Sequence, residues 1–374
     1  MKILLVEPDY YSRYPPLGLL KLGKMEERRF NDVKLVHGNK HLNYTPDKIY
    51  ITSLFTYSWK PVHSSIQFYH NQYPNSKIYV GGIYATLLPL NIKKQYPFVN
   101  MHSGLVNEAE NLMPAYHLLK QVQKWENWNK SILFTTRGCI RKCPFCVVPK
   151  IEGKMKEPKF SILPFVDVNH KEVVIWDNDF LASPFAKQVL EEIRDYGFKV
   201  DFNQGLDARL MTEEFAGLLS DIKSNSIHMA YDWAWEGAYV KKAIDLLSTA
   251  GYNKRNLIFY TLFNFYDEMH KKGDTPSDFL LRLKNLMEWG AASYPMRYIP
   301  LDALEKNKYV SPLWSEESLE MIAKARRVIG FGGSFVPYKA FIDKIFNSNN
   351  INDAMQLRSI NYTKKILKPH AYLS

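Results

Sequence analysis

Cysteine is nearly absent from this chain. Three occur in 374 residues, all between positions 139 and 146. With no fourth thiolate, a four-cysteine zinc site is excluded, and so is a second cluster held by cysteine sulfur. A chain this long with three cysteines and no secretory leader reads as cytosolic, where thiols stay reduced. Long apolar runs are missing too. None approaches the ~18 residues of a membrane-spanning helix, so no membrane partner is expected. The opening run Ile3–Val6 is too short for a signal peptide and reads as a buried strand. No G-x-G-x-x-G follows it, which disfavours a nicotinamide or flavin site. RNP-like, zinc-finger and helix-turn-helix patterns are absent as well.

Positive charge is abundant and uneven. The net charge is +11. Residues 323–374 carry nine Lys/Arg against Asp343 and Asp353, a local +7. Residues 137–159 carry seven against Glu152 and Glu157, a local +5 that surrounds the cysteines. The first tract is a candidate footprint for a polyanion such as RNA, with a solvated basic face as the competing reading. The second can offset negative charge at a thiolate-bound cluster.

The pattern along the chain is α/β. In residues 1–120, strands are expected at Lys2–Val6, Lys48–Ser53, Lys77–Val80 and Val99–His102, with a helix opening at Pro15-Pro16-Leu17. This alternation implies a Rossmann-like parallel sheet with ligands at the strand C-terminal ends. The third strand runs into Gly81-Gly82, where a backbone can approach a ligand closely. Residues 121–130 are polar apart from Val122, Trp125 and Trp128 and read as a connector. From 131 to 330 the strand-then-helix pattern recurs six times. The strands are expected at Ser131–Arg137, Glu172–Asp177, Lys199–Asn203, Ser226–Tyr231, Asn256–Leu262 and Ala292–Ile299. Ser183-Pro184, Thr212-Glu213-Glu214, Thr275-Pro276 and Ser315-Glu316-Glu317 mark helix starts. The loop Gly330–Ser334 reads as a connection into a small, basic C-terminal helical extension, 331–374.

The chemistry centres on Arg137-Gly138-Cys139-Ile140-Arg141-Lys142-Cys143-Pro144-Phe145-Cys146, a C-x3-C-x2-C spacing. Three clustered thiolates hold an iron–sulfur cluster or a metal and leave one position open for a reactive ligand. Two plainer readings compete. One is a zinc ion completed by water or by a histidine such as His170; the other is a disulfide beside a free thiol. The spacing, with Phe145 before the last cysteine, resembles the signature of the radical S-adenosylmethionine (radical SAM) enzymes. That resemblance implies that Cys139, Cys143 and Cys146 bind three irons of a [4Fe–4S] cluster and that SAM chelates the fourth. Reductive cleavage of SAM would then give a 5′-deoxyadenosyl radical that abstracts hydrogen from an unactivated carbon of a substrate, with an external electron donor as partner. It further implies a partial (β/α)6 barrel over 131–330, with functional residues at the strand ends.

Polar residues recur at those ends. Asp177-Asn178-Asp179 offers Asp177 or Asn178 as acceptor for the SAM amino group, or else a capping turn. Asn203-Gln204-Gly205-Leu206-Asp207-Ala208-Arg209 offers Gln204 for SAM or substrate and Arg209 for a carboxylate; a structural Arg209–Asp207 pair is the alternative. Tyr231-Asp232-Trp233, Asn264-Phe265-Tyr266-Asp267 and Tyr294–Tyr298 are candidates for the substrate.

A second resemblance covers about the first 115 residues. Pro15–Leu20, Ile49–Ser53, Gly81–Pro89 and Gly104-x-x-Asn-Glu108-Ala-Glu110 are similar, in order, to the N-terminal domain of cobalamin-binding radical SAM proteins. It implies cobalamin along the strand ends, near the loops Ser53–Tyr57 and Gly81–Thr86 with Gly81 and Gly82 as contacts, and methyl transfer as the outcome; D-x-H-x-x-G is missing. The alternative is a Rossmann-like domain without that cofactor. From a different functional class, a zinc- or cluster-containing nucleic-acid-binding protein without SAM chemistry also fits the basic tracts.

Overall fold

The computed structural model describes residues 1–357. Ile3, Leu4, Leu5 and Val6 have no exposed surface. A strand apolar on both faces must be covered on both, which suits the centre of a parallel sheet. That strand, β1 (Lys2–Glu7), pairs with β2 (Asp32–His37) on one side and β3 (Lys48–Ser53) on the other. β4 (Lys77–Gly82) and β5 (Asn100–Met101) complete the all-parallel order β2-β1-β3-β4-β5. The sequence reading passed over β2, an edge strand that carries Asp32 and Lys34 and follows the charged stretch Glu26–Arg29. Within that stretch Glu26 is fully buried and accepts the Tyr50 hydroxyl at 2.8 Å.

The helix Leu17–Arg28 packs in two directions. Leu19 and Leu20 share a core with Ile3, Leu5, Val33 and Leu35, whereas Leu17 packs with Ile132 and Val174 from the second half of the chain. The connector is equally tied down. Trp125 is buried, its indole N–H donates to Glu7 Oε2 at 2.6 Å, and Lys124 Nζ lies 3.3 Å from Glu7 Oε1.

Six further parallel strands follow: β6 (Lys130–Leu133), β7 (Glu172–Ile175), β8 (Lys199–Phe202), β9 (Ile227–Ala230), β10 (Leu257–Phe263) and, after the small antiparallel pair β11 (Tyr266–Asp267) and β12 (Lys272–Gly273), β13 (Ala292–Arg297). They form two sheets, β6-β7-β8 and β9-β10-β13, joined by parallel bridges at Lys199–Lys223 and Leu206–Met229. Several strands stop short of their expected ends because the residues beyond leave the ladder for other partners. Thr135 and Thr136, for example, donate to Asp177. Thr212, Thr275 and Ser315 cap their helices as expected. Ser183 does not: the helix starts at Ala186, and Pro184 lies in the turn before it.

The Gly330–Ser334 loop leads to Phe335, whose backbone pairs with Ser293 at the edge of β13. Helices Lys339–Phe346 and Ile351–Met355 then pack on Phe279, Leu283 and Ile322. Of the basic C-terminal tract, Arg358, Lys364, Lys365 and Lys368 lie outside the described residues. No helix among the described residues is long and apolar enough to cross a membrane.

Candidate active site

The cysteine loop is set by hydrogen bonds made before its first sulfur. Asp177, 2% exposed, accepts from Thr135 N–H at 2.6 Å, from Thr136 N–H and Oγ1 at 2.9 Å each, and from the Thr135 hydroxyl. Arg137 and Lys156 pair as an antiparallel bridge, and Cys139 N–H donates to Gly153 O at 3.3 Å. The returning segment thus lies directly on Gly138. Gly138 has φ +75°, and a Cβ there would sit 2.2 Å from the Lys154 carbonyl oxygen, so a side chain has no room. A Cys146 N–H to Cys143 O bond at 3.0 Å closes the C-x2-C turn.

All three thiols open on one cavity of about 430 Å³. Burial pushes Cys139 up to about 11 and Cys143 up to about 12, and the Asp179 and Asp232 carboxylates add to the effect. Any metal held by these sulfurs must displace their protons. A zinc ion would need its sulfurs within ~4 Å of one another. Among the described residues, no three His, Cys, Asp or Glu side chains converge in a way that holds a single ion. His170 is placed elsewhere: its Nδ1 lies 2.9 Å from Ser131 Oγ and its ring packs edge-on to Tyr116. His170 does not line the cysteine cavity, so it is not placed to complete a zinc site there.

Asn178, Gln204 and Arg209 all line the cavity, but Asp177 does not; its carboxylate is spent on the loop. Asn178 Nδ2 donates to Glu152 at 3.0 Å. Arg209 forks onto Asp207 at 2.7 and 3.0 Å and reaches Glu236 at 3.1 Å, so its donors are engaged within the protein. Sequence reasoning missed Asp179 as a site residue. It is 2% exposed, Oδ2 lies 3.6 Å from Cys139 Sγ, and Oδ1 is buried without a partner. Burial, with Asp207 nearby, pushes it up to about 6. Its signal was the spacing of two acids in Asp177-Asn178-Asp179: one folds back under the loop and the other faces the cavity. Asp232 and Trp233 line the cavity as well, with Asp232 pushed up to about 7 by burial and by Glu236. Phe145 packs against Trp233 and Phe265. Tyr231 is core, and Asn264 is occupied by Tyr309 O and Ser311 N–H.

A second cavity of about 310 Å³ lies between the helix Leu17–Arg28 and strands β3 and β4. Gly81, Gly82 and Gly104 line it beside apolar Leu22, Met25, Ile51 and Val80. Gly82 has φ +100°, and a Cβ there would lie 2.1 Å from Ser53 O; at Gly81 the nearest atom is 3.7 Å away. Lys21, Glu110 and Arg137 form a polar side of the cavity. Burial lowers Lys21 to about 8.

No protein-family model matches the chain, and no curated protein matches it. Among solved structures it is similar to the radical S-adenosylmethionine methyltransferase TsrM from Kitasatospora setae, determined with cobalamin and a [4Fe–4S] cluster bound. The TM-score is 0.60 at 13% identity, covering 80% of this chain and 77% of that one. The chain therefore shares its fold with a radical SAM methyltransferase.

Proposed function

We propose that the chain is a radical SAM enzyme in which Cys139, Cys143 and Cys146 hold three irons of one [4Fe–4S] cluster and leave the fourth for SAM. One observation carries this reading: three thiols, with no fourth cysteine in the chain, open on a cavity that Asp179 also lines. Bound together, cluster and SAM supply a carbon radical or a transferable methyl group once an external donor provides an electron.

The chain's own residues bind, orient and exclude water. The Asp179 carboxylate would accept from the SAM ammonium, and Gln204 would offer its amide to SAM or substrate. Arg209, held by Asp207 and Glu236, contributes positive charge without being free to move. Phe145, Trp233 and Phe265 form an aromatic wall that keeps water from the site. The substrate would be bound in the cysteine cavity beside Asp232 and Trp233 and would react at an unactivated carbon. Residues 131–330 act as a partial (β/α)6 barrel and residues 1–120 as a cobalamin-binding-like domain. The slot lined by Gly81, Gly82 and apolar side chains, with Lys21 and Arg137 alongside, suits the flat base and anionic phosphodiester of cobalamin's nucleotide arm. Methyl transfer is then the outcome.

Anaerobic reconstitution with iron and sulfide, then reduction with SAM, tests the reading. About four irons per chain with 5′-deoxyadenosine among the products support it, provided Cys143→Ala loses both. Zinc retention with SAM left intact contradicts it.

A further inference from the structure

A buried chain of charges joins the two cavities. Lys21, Glu110 and Arg137 line the N-terminal one and Asn178 the cysteine one. Lys21 Nζ donates to Glu110 O at 2.8 Å and lies 3.5 Å from Glu110 Oε2. The same Oε2 accepts from Arg137 Nε at 2.7 Å, and Arg137 Nη1 donates to Glu152 Oε1 at 3.1 Å. Glu152 Oε2 then accepts from Gly138 N–H at 2.8 Å and from Asn178 Nδ2 at 3.0 Å. Lys21, Glu110 and Arg137 are all buried, and the Arg137 guanidinium lies 3.4 Å from the centre of the Phe134 ring.

In so dry a setting each link is strong and directional. Buried ion pairs contribute little net stability beside their cost of desolvation, and fixing geometry is their better-attested role. Here the fixed geometry spans the two halves of the chain. A group that enters the N-terminal cavity meets Arg137, and Glu152 connects Arg137 to the residue before Cys139 and to Asn178. Glu152 itself lines neither cavity.

We propose that Glu152 is a positioning residue that makes occupancy of the two cavities interdependent, a step that rests on cobalamin and SAM being their ligands. A ligand that pairs with Arg137 alters its bond to Glu152, and through Glu152 the hold on Gly138 and Asn178, so each ligand changes the site that the other meets. Linkage demands that the effect be equal in both directions.

The test uses the reconstituted full-length protein. SAM is titrated with and without hydroxocobalamin, and hydroxocobalamin with and without SAM. Each ligand should tighten the other by the same factor, about fivefold or more. Glu152→Gln keeps an acceptor for Gly138 and Asn178 but loses the charge that faces Arg137. Its coupling factor should fall to about one while each ligand alone binds nearly as before. Should that variant fail to fold, Glu152→Asp serves, because its shorter carboxylate cannot span both partners and must reduce the factor. A native factor of one, or variants that weaken each ligand alone yet keep the factor, would each overturn the proposal. If the native protein binds neither ligand, the reading of the cavities fails and takes this inference with it. If both bind independently, this inference alone fails.

Discussion

Asp179 holds one carboxylate oxygen 3.6 Å from the Cys139 sulfur and the other buried with no partner. An unsatisfied buried acceptor costs ~1–3 kcal/mol, and on the proposed reading SAM offsets that cost by donating to this carboxylate. Asp179→Asn keeps the shape and removes the charge. SAM affinity of the reconstituted protein should fall ~10- to 100-fold, the size of a hydrogen bond to a charged group, with iron content unchanged. Equilibrium binding measures this; native affinity in the variant would remove Asp179 from the site.

Asp177, two residues earlier, has a different part. Its four donors fix the entry to the cysteine loop. Asp177→Ala leaves the Thr135 and Thr136 N–H groups without an acceptor, and stability should drop by roughly 3 kcal/mol or more, with poor iron uptake. Thermal unfolding and iron analysis check both. A stable variant that loads iron normally would show that the loop does not depend on this carboxylate.

Gly138→Ala probes the same loop through its backbone. The new Cβ meets the Lys154 carbonyl, and the φ of +75° adds strain. Either the returning segment moves off the loop or the chain fails to fold, and cluster content should fall sharply in both cases. An alanine variant that reconstitutes fully would contradict the fit described.

The sequence disclosed the features that rest on pattern and spacing. Apolar strands such as Ile3–Val6, glycines ahead of tight turns, helix caps at Thr212, Thr275 and Ser315, and the grouped cysteines all carry local signals. It disclosed less where a residue's partner lies far along the chain. Glu7 meets Trp125, Glu110 meets Arg137, and β2 is held at an edge where polar residues are tolerated. Which acid of Asp177-Asn178-Asp179 faces the cavity depends on where β7 ends, and strand ends are decided by competing hydrogen bonds rather than by composition. Arg209 is the same kind of case: its reach was legible, but its engagement with Asp207 and Glu236 required the fold.

The connector supplies a pH-dependent prediction. Burial holds the Glu7 carboxyl above its ordinary range, against the opposing Trp125 and Lys124 donors. Between its unfolded and folded values the folded chain binds more protons, so this group's contribution to stability declines as pH rises through the folded value. Trp125→Phe removes the indole donor and leaves the ionised carboxylate poorly satisfied. The loss should be ~1–3 kcal/mol near neutral pH and should shrink at a pH below the ordinary carboxylate range, where the carboxyl is protonated folded and unfolded alike. Urea unfolding of both proteins at the two pH values measures it, and an equal loss at both would show that the indole acts only through packing.

The proposed vacancy on a fourth iron is tested most directly by electron–nuclear double resonance on the reduced, reconstituted protein with SAM labelled with nitrogen-15 at its amino group. A hyperfine coupling from that nitrogen, present in the native protein and lost in Cys143→Ala, is the predicted result. A reduced cluster that shows no coupling to the label at saturating SAM would contradict the account.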